Sequence, residues 1–160
     1  MVNTRMAAVL ALVLTLHACQ YDPDSYLYVT TEPSDADVVG TYVLESQRVD
    51  LKAGVTGHPV IVLHPDHRYE ATDFPEWRES GIGEYALAGT YSTAGTWRIG
   101  SLGGLDDGSG KTKTIYGVIF EGSSPEMPGG KCTRAATQKG LIFGYGDPDG
   151  GKSMSYVMRE

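Results

Sequence analysis

From residue 38 onward, apolar and polar residues alternate in short runs separated by turn formers. In residues 39–44, Gly40, Tyr42 and Leu44 share one face, while Val39, Thr41 and Val43 share the other. A period of two with β-branched and aromatic content predicts a strand. Residues 46–57 are mixed, with room for one helical turn. An apolar run over 59–63 leads into His64-Pro65-Asp66-His67, where proline takes the second position of a type I turn. Residues 68–72 alternate again, which predicts a hairpin with Ile61, Leu63, Tyr69 and Ala71 pointing inward.

Residues 73–88 read as irregular, anchored by Phe74, Trp77 and Tyr85 and broken by Gly81 and Gly83. A strand pair is expected around 89–91 and 95–99, with Trp97 and Ile99 on one face and Thr96 and Arg98 on the other. Residues 100–110 form a glycine-rich loop in this reading. Residues 112–121 are apolar on both faces, as in a central or covered strand. Residues 122–139 hold Pro125, Pro128, Gly129 and Gly130 and read as one long loop. Leu141, Phe143 and Tyr145 then line one face of a last hairpin, Asp147 to Gly151 supply its turn, and Met154, Tyr156 and Met158 line the return strand. No segment holds a helical period beyond two turns. The pattern predicts an all-β domain, either an antiparallel up-and-down barrel or a β-sandwich.

An eight-stranded barrel is just wide enough to be filled by side chains or to hold one small ligand. The inward candidates are mostly large: Tyr42, Leu44, Tyr69, Trp97, Phe143 and Tyr156 among them. Only Gly40, Ala71 and Gly89 leave room. A filled interior is therefore expected, with function on the stretches 73–88, 100–111 and 122–139.

The first 35 residues follow other rules. A cationic start through Arg5 precedes the apolar run Met6 to Leu16, 11 residues long. That is too short to cross a hydrocarbon core of ~30 Å as a helix but suits a secretory signal. Together with Leu16-His17-Ala18-Cys19, the order resembles a bacterial lipoprotein signal, in which a small residue precedes the cysteine that is lipidated. The resemblance implies a signal peptide over 1–18 and a mature chain beginning at Cys19, acylated there. Gln20 in place of aspartate implies the outer membrane, facing the periplasm. The alternative is an ordinary cleaved secretory peptide with Cys19 a plain residue. Residues 19–35, with Pro23 and Pro33 and the acids Asp22, Asp24, Glu32 and Asp35, read as a tether to a domain over 36–160. Tyr21, Tyr26 and Tyr28 either pack on the domain or lie near headgroups.

Charge narrows the partners. The formal net charge is −7, and removal of Arg5 with residues 1–18 leaves 12 of the 13 Lys and Arg against all 20 Asp and Glu, a net −8. Nucleic-acid binding is disfavoured, since phosphate contacts need clustered cations. So is lying flat on anionic lipid. The membrane is reached through the lipid anchor, and an envelope protein partner is compatible with the charge. The two cysteines are Cys19 and Cys132. With Cys19 lipidated, Cys132 has no intramolecular partner and reads as a buried or loop cysteine without a role.

Gly40-Thr41-Tyr42, Gly89-Thr90-Tyr91 and Gly95-Thr96-Trp97 repeat a Gly-x-aromatic opening. The first resembles the start of lipocalin-type barrels, with Tyr42 where that family has tryptophan. In that family a basic residue near the end of the barrel packs over the aromatic, a role the resemblance assigns to Arg159. The hairpin Gly146-Asp147-Pro148-Asp149-Gly150 resembles the ends of small bacterial envelope proteins. The likeness spans residues 38–72 and 89–160 and implies a closed barrel with a central ligand cavity, a function that so short a motif does not transfer.

Candidate chemistry is sparse. His58, His64 and His67 with Asp66, Glu70 and Asp73 form a run of possible metal ligands. Zinc needs three or four in defined geometry, and a hairpin turn displays such residues to water, so no metal is expected. Asp147 and Asp149 resemble half a calcium loop but lack its distal glutamate. No nucleophile, zinc-helix or phosphate-loop motif occurs, so neither catalytic residues nor cofactors are expected. The sequence reads as a lipid-anchored envelope binding or interaction module. The alternative is a carrier of a small apolar ligand, and an enzyme is disfavoured.

Overall fold

The computed structural model describes residues 22–48, 57–81, 84–106, 109–135, 138–146 and 152–159. Eight strands form: β1 (Gly40–Arg48), β2 (Val60–Leu63), β3 (Arg68–Gly81), β4 (Glu84–Asp106), β5 (Thr112–Glu121), β6 (Gly130–Ala135), β7 (Gln138–Gly144) and β8 (Ser153–Arg159). Each pairs antiparallel with the next, and β8 returns to β1, closing an up-and-down barrel. Of the two architectures the alternation allows, the barrel is the one formed.

The interior is filled. Tyr42, Ile61, Leu63, Tyr69, Trp97, Phe143, Met154 and Tyr156, all read as inward-facing, are buried to 2% exposure or less. Leu44, Ile99, Tyr145 and Met158 are half-buried against this core. Phe74, Val118, Phe120, Leu141 and Met127 complete it. Aromatic rings interlock across the lumen: Phe74 meets Phe143 edge-on at 5.2 Å and stacks on Tyr156 at 5.8 Å between centroids.

The stretches expected to be loops are largely strand. Residues 73–81 belong to β3 and 84–88 to β4, paired strands that run 14 and 23 residues. The ladder survives because irregularities re-phase it. One lies between Ala71 and Phe74, where Asp73 takes a positive φ of 52°, as bulged strands do. The hydrophobic period breaks in the sequence while the pairing continues. In β4, odd positions from Tyr85 to Ile99 point inward and even positions outward without interruption. The outward residues include Ala86, Ala88, Thr90, Ser92 and Ala94, so the apolar contrast is too weak to read. Residues 100–106 likewise continue β4 past an irregularity between Ser101 and Gly103. Within 122–139, only 122–129 connects strands before β6 begins. β1 runs on to Arg48, so 46–48 are strand, while 49–56 lie outside the described residues, as does the turn 147–151.

Arg159 does not cover Tyr42. It stands opposite Thr41, one residue out of phase with Tyr42, and is exposed. Side chains alternate across a strand, so Met158, opposite Tyr42, takes the inward place.

Residues 22–35, expected to tether the domain, pack on the barrel instead. β5 and β6 share only two registered pairs, Gly117 with Lys131 and Val118 with Gly130. Beyond them the strands diverge, and the N-terminal segment bridges the gap. The Val29 N–H donates to the Cys132 carbonyl at 3.0 Å, and the Tyr116 N–H donates to the Val29 carbonyl at 3.0 Å. Tyr28 forms a bridge with Thr133. Upstream, Asp24 is only 3% exposed and accepts a hydrogen bond from the Ser153 hydroxyl at 3.1 Å. Downstream, Ser34 and Asp37 bond to each other at the start of the short helix α1 (Asp35–Val38). Its Val38 is buried, and the Val38 carbonyl accepts from the Tyr42 hydroxyl at 2.6 Å. This segment is a strap that seals one seam and closes one end of the barrel.

Candidate functional site

The C-terminal ends of β1, β3, β5 and β7 lie at the barrel end opposite α1. There the β3–β4 hairpin carries its inward aromatics beyond the packed core. Phe74 is fully buried, whereas Trp77, Tyr91 and Tyr145 are half-buried. These four side chains wall a cavity of about 310 Å³, at the small end of ordinary ligand sites, roughly 300–1,000 Å³. Pro125, Glu126 and Pro128 of the β5–β6 connection form its roof, and Glu76 of β3 its rim. Met127, between the roof residues, is 2% exposed and packs into the core, which fixes the roof in place.

The walls hold one another. Trp77 and Tyr145 lie 5.9 Å apart between ring centroids, and Phe74 meets Tyr91 edge-on at 5.6 Å. The Trp77 indole N–H donates to the Met154 sulfur at 3.3 Å. Burial first, then the nearby Tyr69 and Glu76 oxygens, push the Tyr91 phenol up to about 12. Burial, reinforced by Tyr156 and Tyr91, likewise raises that of Tyr145. The hydroxyls therefore stay protonated and act as neutral donors and acceptors. The Tyr69 and Tyr156 hydroxyls are buried without a hydrogen-bond partner among the described residues.

The histidine run does not converge. His64 Nε2 lies 3.3 Å from Glu70, and His67 Nε2 lies 3.2 Å from Asp35 of α1. The His67 ring packs on Trp97 at 4.8 Å, whose indole N–H donates to the His64 carbonyl. The His58 backbone N–H and the Asp66 carboxylate engage Asp73 and Arg68 respectively. Among the described residues, no three His, Cys, Asp or Glu side chains are grouped to hold a metal. Cys132 is buried behind the strap, and burial pushes its thiol up to about 12, which makes it a poor nucleophile. Cys19 and the Asp147–Asp149 turn lie outside the described residues.

Sequence reasoning placed Phe74, Trp77 and Tyr145 but not the site they form, and it did not single out Tyr91 or Glu126 as site residues. The signal was the odd-numbered register of β4, in which Tyr91 follows Tyr85, Leu87 and Gly89 onto the face that carries Trp97. Comparison with protein-family models, curated proteins and solved structures finds no match to this chain.

Proposed function

We propose that the protein is a lipid-anchored envelope binding module that takes a small ligand at the mouth of a filled, lipocalin-like barrel. The observation that carries this reading is the aromatic cavity between the β3–β4 hairpin and the β5–β6 roof, set directly on a solid core. A carrier of a small apolar ligand inside the barrel needs open space in the lumen, and Tyr42, Tyr69, Phe74, Phe143 and Tyr156 are buried there. No residue has a catalytic role in this reading.

The anchor is Cys19, and the strap beginning at Asp22 makes the connection short. Three residues span at most about 11 Å when extended, so the barrel sits close to the bilayer. Labelled palmitate should enter the full chain and not a Cys19→Ser variant; equal labelling contradicts the anchor. For the mouth, small molecules released from the full chain purified from membranes are compared by mass spectrometry with those from Trp77→Leu. A species held by the wild type and lost from the variant supports the site. Identical recovery from both contradicts it.

A further inference from the structure

We propose that the mouth site selects a small organic ammonium cation, held between the rings of Trp77, Tyr91 and Tyr145 and the carboxylates of Glu76 and Glu126. This deepens the reading above and rests on it. Three electron-rich rings converge on one cavity, and the faces of tryptophan and tyrosine attract cations. Both charged side chains on the described lining are acids; it contains neither lysine nor arginine.

One acid is paired to a cation beyond the lining and the other, among the described residues, is not. Arg78 binds Glu76 through one oxygen, Oε1, with Nε at 2.9 Å and Nη2 at 2.7 Å. Glu76 Oε2 has no contact of this kind among the described residues. Glu126 has no ion-pair partner among the described residues and is carried on the roof by the buried Met127. An ammonium gains the attraction of the exposed Glu126 carboxylate, a neutral ligand forgoes it, and an anion is repelled by it. The N–H groups of an ammonium also supply donors to the phenol oxygens of Tyr91 and Tyr145, both on the lining.

The test uses the full chain in detergent and three probes of one shape: benzylammonium, benzyl alcohol and benzenesulfonate, followed by calorimetry. Benzylammonium should bind at least tenfold more tightly than benzyl alcohol, and benzenesulfonate should not bind. Glu126→Gln, an exposed change that leaves the fold intact, should weaken benzylammonium at least threefold at unchanged Tm. Equal affinity for benzylammonium and benzyl alcohol, both lost in Trp77→Leu, overturns the cation preference while the mouth remains a ligand site. Binding of none of the three also overturns it. Ethanolamine against glycerophosphoethanolamine then distinguishes a free amine from a lipid headgroup. The phosphate would face Glu76 and Glu126, so the free amine should bind more tightly.

Discussion

The β5–β6 seam and the β3–β4 hairpin are opposites. At the seam the backbone is short of partners: two registered pairs, then a gap that Val29 fills with one donor and one acceptor. Side chains there are saturated, with Cys132, Val118 and Phe143 buried. At the hairpin the backbone ladder runs to its tip, Gly81 opposite Glu84, but the inward side chains outrun the core. Trp77, Tyr91 and Tyr145 are left with rings to spare and a cavity between them. A hydrogen-bond ladder and a packed core are separate resources. Where the first runs out, the chain recruits its own N-terminus; where the second runs out, it presents a binding surface.

Removing the strap should produce the largest effect. A chain beginning at Asp35 loses both Val29 backbone bonds, the Tyr28 bridge and the Asp24–Ser153 bond. It also exposes unpaired backbone on β5 and β6. At about 1–3 kcal/mol for each buried group left unsatisfied, the loss should exceed about 4 kcal/mol against a chain beginning at Asp22. That is a large part of the roughly 5–15 kcal/mol a domain possesses. Urea midpoints measure it, and equal midpoints for the two chains would restore the tether reading.

The next contrast sharpens the comparison within one aromatic cluster. Phe143→Ala empties part of the filled core and should cost about 3–5 kcal/mol. Trp77→Leu, at the half-buried mouth, should cost about 1 kcal/mol while abolishing ligand binding. Similar stability losses at both positions would mean that the mouth is simply more core.

Much of this was legible. Ile61, Leu63, Tyr69, Phe143, Met154 and Tyr156 declare their face by period two alone, because polar neighbours flank them. The strap was not legible. Pro23, Pro33 and four acids make it look solvated, and nothing in the residues around Tyr28-Val29 reports that β5 and β6 diverge 90 residues later. A seam is a property of the closed sheet, not of either strand. The mouth was half legible: its aromatics are visible, but bulges at Asp73 and beyond hide the register that brings them together.

Smaller effects test single parts of the seam. Asp24→Ala should cost about 1–3 kcal/mol, because it leaves the Ser153 hydroxyl buried without its carboxylate. Acid should loosen the strap. Burial works to raise Asp22, but hydrogen bonds from the Tyr28 hydroxyl, the Asp24 N–H and the Lys131 ammonium outweigh it, and the net pKa is lowered. Asp37 is lowered through Ser34 and Lys139. A carboxylate held below its usual value of about 4 stabilises the fold above that pH, and the contribution is lost as pH falls through the lowered folded value. Stability should therefore decline below about pH 4, and less steeply in Asp22→Asn. An identical acid profile for that variant would remove Asp22 from the seam.

Native-state amide hydrogen exchange at Val29 and Tyr116 tests the account most directly, since those two N–H groups are the stitches across the β5–β6 gap. Both should exchange only through global unfolding, with protection equal to that of core amides such as Phe143. Exchange of Val29 at the rate of an unstructured chain, with the Phe143 amide still fully protected, would show a barrel that stands without its strap and would contradict the account.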